Sequence, residues 1–293
     1  MEKQINFAIH GHRADVGDYV INRLLPNRYL DSVGPFVFLD HATPVIHQLD
    51  APLKVPNGSG AHPHRGIATL TYVISGEADH YDSTGNHTTV HSGGAQWMKA
   101  GTGIIHDEAM NPDSDSEDRT THALQFWVNL PSENKAERPE YIPIQANEIP
   151  QIQLDNKGGW IKIISGQYNA SKSKIPSYLE QFIYHLHLEA GKQFEIHFKN
   201  GIELAAFLPL NKASINGNQY QEGQLLSFDK DANTVFFQSL PNAVTDIILF
   251  GGLSYTEPIV AQGPFVMNTA QEIQLAYDDF YAGKYGTIDY HSN

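Results

Sequence analysis

A chain of 293 residues, 41% apolar and 18% charged, is long enough for two globular domains, and no apolar run approaches the ~20 residues a membrane helix needs. The absence of cysteine excludes disulfides, thiolate metal sites and thiol nucleophiles, so any metal must be held by nitrogen and oxygen, and 15 histidines are at hand. Nineteen basic residues against 33 acidic ones give a formal net charge of −14, which repels phosphate backbones and argues against direct nucleic-acid binding.

The N-terminus, MEKQINFAIHGHRAD, has no basic region followed by an apolar core and does not read as a signal peptide, so a cytoplasmic protein is expected. Downstream, the β-branched and aromatic runs at 69–74, 95–99 and 123–130 read as strands. Turn signals separate them: Ser75-Gly76, the run 82–86 and Ser92-Gly93-Gly94. That spacing predicts an all-β sandwich or barrel and not βαβ units. Pro131, Pro139, Pro143 and Pro150 then punctuate a polar stretch at 131–158 that cannot supply a central strand. It reads as the connection between domains, dividing the chain into 1–135 and 136–293. Strand-like runs resume at 160–164, 182–188, 194–198, 202–207 and 246–250, with hairpin-type turns at Asn200-Gly201 and Asn216-Gly217.

The end of the chain changes character. Thr269 and Glu272 form a capping box, and Ile273, Ala276, Tyr277, Phe280 and Tyr281 recur at helical spacing before Gly283. One amphipathic helix is expected there, its apolar stripe docked on a barrel. A short echo links Gly34-Pro35-Phe36-Val37 to Gly263-Pro264-Phe265-Val266, which similar turn-to-strand entries would also produce.

The chemistry is concentrated in AHPHRG at 61–66 and GIIHDE at 103–108. Side chains two apart on a strand share a face, so His62 projects with His64, and His106 with Glu108. If the two segments are neighbouring strands of one barrel, three imidazoles and a carboxylate converge, which is a complete ligand set. Pro63 suits a strand start or edge near a barrel mouth, and Gly101 and Gly103 allow a sharp turn before the second pair. Unrelated surface histidines are the competing reading. His185, His187 and Glu189 would share a strand face too, but no facing half-site follows, so a second metal is not expected. Among His80, Asp82, His87, His91 and His122, one residue that orients a liganding imidazole is plausible, the rest being turn and rim groups.

HPHRG, HYDSTGN (80–86), QWMKAGTGIIHDE (96–108), GPFVFLDH (34–41) and GPFVMNT (263–269) together resemble the pirin family over nearly the whole chain. The resemblance implies a bicupin: two double-stranded β-helix jelly-roll barrels with a C-terminal α-helix, the first binding metal and the second not. It carries the ligand set over to His62, His64, His106 and Glu108 and implies Fe(II), with Mn, Co, Ni or Cu open for such nitrogen and oxygen donors. The general cupin pattern has a liganding Glu soon after the His pair, where this chain reads Ile67-Ala68-Thr69.

Two functions follow from the resemblance. One is a quercetin 2,3-dioxygenase acting on a small aromatic substrate and O2, with Glu108 taking the proton of the flavonol 3-hydroxyl. The other is a non-catalytic, iron-dependent regulator that binds a transcription factor or metabolic enzyme. The acidic surface suits a basic protein partner better than DNA.

Overall fold

A computed structural model describes residues 1–16 and 19–291. The described residues are mostly strand, with one α-helix, Ala270–Tyr281, among them. No helix of the described residues is long and apolar enough to cross a membrane.

The chain divides into two compact units, each assembled from separated segments. One comprises Met1–Arg13, Asn22–Val37 and Ile149–Tyr255; the other comprises Ala14–Ile21, Phe38–Glu148 and Thr256–Asn293. This differs from the contiguous division at 135/136. A proline-bearing stretch marks where a chain leaves a sheet, and not which core its distant ends will join. Here Ile5–His10 pairs with Gln224–Phe228, which ties the start of the chain to the unit built on Ile149–Tyr255. The final helix packs on Val260–Gln262 and Phe265–Met267 within the other unit.

In the unit that carries the site, a four-stranded sheet runs in the order His62–His64, Ile104–Asn111, Glu77–Asp82, His87–Val90. Its companion sheet contains Glu140–Ile144, Ala95–Lys99, Ile67–Ser75 and Thr120–Asn129 as adjacent strands. Glu140–Ile144 lies at that sheet's edge and contains Pro143, so the proline-bearing stretch does contribute a strand, at the position where a missing N–H is tolerated.

The other unit repeats the two-sheet plan, with Gln193–His197, Thr234–Gln238, Ala213–Ile215 and Asn218–Tyr220 as its four-stranded sheet. Ile161, Ile163, Leu186, Leu188, Leu204, Val235 and Phe237 belong to one buried apolar cluster, so its core is filled by hydrocarbon. Asn216 and Gly217 have φ of 49° and 76° and join two paired strands, the signature of a type I′ hairpin. Asn200-Gly201 is not a hairpin: Gln193–His197 pairs with Thr234–Gln238, whereas Ile202–Phe207 pairs with Gln224–Phe228 and Thr245–Leu253.

The helix starts as its sequence dictates. Thr269 accepts from the Glu272 N–H (3.2 Å) and Glu272 accepts from the Thr269 N–H (2.8 Å). Ile273 and Ala276 are buried and Phe280 packs beside them, but Tyr281 is 78% exposed. At about 100° per residue, Tyr281 lies about 80° around the helix from Ile273, off the docked stripe.

Candidate metal centre

The short edge strand His62–His64 pairs antiparallel with Ile104–Asn111, placing His62 opposite His106 and His64 opposite Ile104. Strand pleat therefore puts the three imidazoles on one face, as the spacing required. The entry to the second strand is a tight turn. Gly103 has φ of +130°, and a Cβ there would lie 2.1 Å from the Tyr285 ring, so glycine is needed for both reasons.

The three histidines meet. His62 Nε2 and His106 Nε2 are 3.0 Å apart, and the ring centroids are separated by 4.4 Å (His62–His106), 4.9 Å (His62–His64) and 5.0 Å (His64–His106). Two of the three have their outer nitrogens committed, whereas His106 Nδ1 is buried without a hydrogen-bond partner. His62 Nδ1 donates to the Gly60 carbonyl (2.8 Å) and His64 Nδ1 donates to the Pro264 carbonyl (3.1 Å). A neutral imidazole has one proton, so both Nε2 atoms present lone pairs to the common point. His64 Nε2 is buried and has no hydrogen-bond partner. In the absence of metal a proton on His106 Nε2 can bridge to the His62 Nε2 lone pair, and in its place a cation fits these converging donors. Burial and the neighbouring His106 lower the His62 pKa to about 4. Burial, with His106 and His62 beside it, holds His64 well below the ordinary imidazole value.

Glu108 lies two residues beyond His106. Its Oε1 accepts from Gln96 Nε2 (2.6 Å) and lies 3.3 Å from His80 Nδ1 and 3.4 Å from His106 Nδ1. Its Oε2 accepts from Gln125 Nε2 (3.3 Å). Burial opposes ionisation, but the His106 and His80 contacts outweigh it and hold the carboxyl well below its usual range. The structure thus gathers His62, His64 and His106 at one point and sets Glu108 against His106, His80 and the two glutamines.

Several neighbours had no signal in the sequence. The Tyr141 hydroxyl donates to Gln96 Oε1 (2.8 Å), and its ring stacks on His80 (4.0 Å, 2°). Trp127 meets His64 edge-on (4.9 Å) and is stacked by Phe38 (4.3 Å, 15°). Of the five polar residues flagged near the site, His80 and Asp82 join it, bonded at 3.2 Å. Burial works against a charge on His80, but Asp82 and Glu108 outweigh it and raise its pKa. His87 and His91 turn instead to Asp79 (3.1 Å) and Asp113 (2.9 Å), and His122 meets His41 (2.8 Å). In the other unit, His185 and His187 share one oxygen of Asp246 (3.0 and 2.8 Å).

The Pirin family profile matches residues 19–128, and the profile for the pirin C-terminal cupin domain matches 183–286. The chain belongs to the pirin family. A Pseudomonas aeruginosa relative, provisionally named quercetin 2,3-dioxygenase, is 30% identical over 287 residues, covering 97% of this pirin and 99% of its own length. The crystal structure of quercetin 2,3-dioxygenase from Acinetobacter baumannii superposes with a TM-score of 0.89 at 30% identity, covering 99% and 100% of the two chains. The nickel(II) complex of the bacterial pirin YhhW from Escherichia coli shares the fold (TM-score 0.64, 19% identity, 86% and 100% covered). The two-cupin, all-β architecture is therefore that of the family, and its histidine and glutamate group is capable of holding a metal ion.

Proposed function

We propose that this pirin is an iron-dependent dioxygenase of the quercetin 2,3-dioxygenase kind. Its metal ligands are His62, His64, His106 and Glu108, one ion is held per chain, and Glu108 also serves as the base. The observation that carries this reading is the convergence of three imidazoles, two with their protons committed to backbone carbonyls, beside an ionised carboxylate. The 30% identity to quercetin 2,3-dioxygenases over nearly the full chain supports the substrate class. Fe(II) suits three nitrogens and one oxygen; Mn, Co, Ni and Cu share the donor preference, and affinity order alone does not select among them.

When bound, the ion supplies Lewis acidity toward an enolic oxygen and a redox couple toward O2. The remaining work falls to the chain's own groups. Glu108 takes the proton of the substrate hydroxyl at a carboxylate oxygen. Because Tyr141 donates to Gln96 Oε1, the Gln96 amide must turn its N–H toward Glu108, which keeps that carboxylate an oriented acceptor. Trp127, backed by Phe38, gives a flat apolar wall beside His64 that suits a planar aromatic ring.

The test is oxygen uptake by the iron-loaded protein with quercetin, with carbon monoxide as co-product. Uptake in step with flavonol loss is expected. Full iron occupancy without uptake defeats the enzymatic reading. It would leave the iron-dependent regulator, whose partner the net charge of −14 directs toward basic proteins.

A further inference from the structure

Two of the three histidines have their outer nitrogens held by carbonyls, and both carbonyls depend on the far end of the chain. For His64 the dependence is direct, since the acceptor belongs to Pro264. The same segment is fixed by the Val266 N–H donating to the Arg65 carbonyl (3.2 Å), and the Arg65 guanidinium reaches Asp279 of the final helix (2.7 Å).

For His62 the dependence passes through one carboxylate. The loop bearing the Gly60 carbonyl is held by Asp107, whose Oδ2 accepts from the Asn57 N–H (3.1 Å), the Gly58 N–H (2.8 Å) and the Tyr290 hydroxyl (2.9 Å). Asp107 is 2% exposed and lies between His106 and Glu108 in sequence, so strand alternation turns it to the opposite face. Gly60 rests so closely on it that a Cβ there would lie 2.7 Å from Asp107 Oδ1. The Tyr290 ring lies 5.4 Å from that of Tyr81, the residue paired with Asp107 on the adjoining strand.

We infer that Asp107 and Tyr290 are positioning residues for His62: by clamping the 57–60 loop they preset the tautomer whose Nε2 lone pair faces the other histidines. This rests on the reading of the three-histidine group as a metal centre. The physical reason is the imidazole's single proton. With Gly60 in place the proton stays on Nδ1; if the loop drifts, both tautomers become populated and the fraction ready to bind falls. His106 has no such dependence, because its Nδ1 is buried and makes no hydrogen bond to that loop. The effect of losing the clamp is therefore selective, unlike a general loosening.

Tyr290→Phe removes only the hydroxyl, and Tyr281→Phe, at a tyrosine 78% exposed, is the control. Histidine 15N NMR of the metal-free protein reads the tautomers, and transfer of Fe(II) to a chelator reads the holoprotein. In wild type and in Tyr281→Phe, His62 should carry its proton on Nδ1. In Tyr290→Phe, His62 alone should shift to a mixture, and Fe(II) should leave about tenfold faster, the lower end of the loss for an outer partner. Wild-type His62 signals together with a wild-type release rate in Tyr290→Phe would overturn the inference. So would equal shifts at His64 and His106. If His62 shifts as expected but the wild type holds no Fe(II), the clamp stands and the metal reading falls.

Discussion

Replacing Glu108 by Gln separates its chemical from its structural contribution. The carboxylate is held most tightly on Oε1, by Gln96 at 2.6 Å with His80 at 3.3 Å, and more loosely on Oε2, by Gln125 at 3.3 Å. A Gln at 108 would keep its oxygen toward Gln96 and turn its NH2 toward Gln125. The Gln125 amide can answer by flipping, since its other contact, the Thr71 hydroxyl at 3.4 Å, can donate or accept. No bond need be abandoned. The cost is the step from charge-assisted to neutral hydrogen bonds, about 1–2 kcal/mol, part of it offset by no longer burying a charge. For a protein of this size that is a fall of only a few degrees in Tm. Three imidazoles remain, so metal should stay near one ion per chain. Turnover should drop by about 10²–10⁴, equivalent to about 3–5 kcal/mol of barrier, the usual worth of a positioned acid–base group. Metal analysis, thermal melting and oxygen uptake on the same preparation resolve the three effects. Wild-type turnover in the variant refutes the base role, and a fall of more than about 10 °C in Tm refutes the structural reasoning.

Acid should act later than it does on an ordinary histidine site. His62 is depressed from the usual 6.5 to about 4, so protons compete for it only near that value, and occupancy should hold to about pH 5 before collapsing. The sign for folding is the same: between about 6.5 and 4 the unfolded chain binds the extra proton, so stability is complete above that window and is lost as pH falls through it. Half-loss of metal at pH 6, followed by elemental analysis after equilibration, would contradict this. Lys135 is buried and its ammonium donates to the Gly66 carbonyl (2.7 Å), Asn129 Oδ1 (2.5 Å) and the Val266 carbonyl (2.8 Å). Lys135→Met takes a donor from all three acceptors, of which the Gly66 carbonyl keeps the Leu130 N–H (3.3 Å), and should cost about 3 kcal/mol in denaturant unfolding, net of the relieved burial of charge; an unchanged midpoint would show that the clasp contributes nothing. Gly103→Ala adds a positive-φ strain to a clash with the Tyr285 ring and should cost about 3–5 kcal/mol by the same measurement, with less than 1 kcal/mol counting against the geometry.

The histidine pairs were legible because the two-residue period of a strand fixes which side chains share a face, and His62, His64 and His106 obey it. The helix was legible because Thr269 and Glu272 satisfy local N–H groups whatever the rest of the fold does. Other features depend on contacts between residues far apart in sequence. Gln96 and Gln125 are neutral amides with no pattern of their own, and their role exists only where Glu108 meets them. Tyr141 lies in the proline-bearing stretch, which reads as a connection until the edge strand Glu140–Ile144 is seen beside Ala95–Lys99. The exchange of terminal segments between the units, and the reach of Tyr290 to Asp107 across 183 positions, leave no local trace in composition or spacing.

The most direct test of the metal centre is elemental analysis of the purified wild type beside a His62→Ala, His106→Ala double variant. Removing both leaves His64 alone of the three converging imidazoles. One metal per chain in the wild type, and nearly none in a folded double variant, is the expected result. Full occupancy retained in the double variant, or two tightly held ions per wild-type chain, would contradict it.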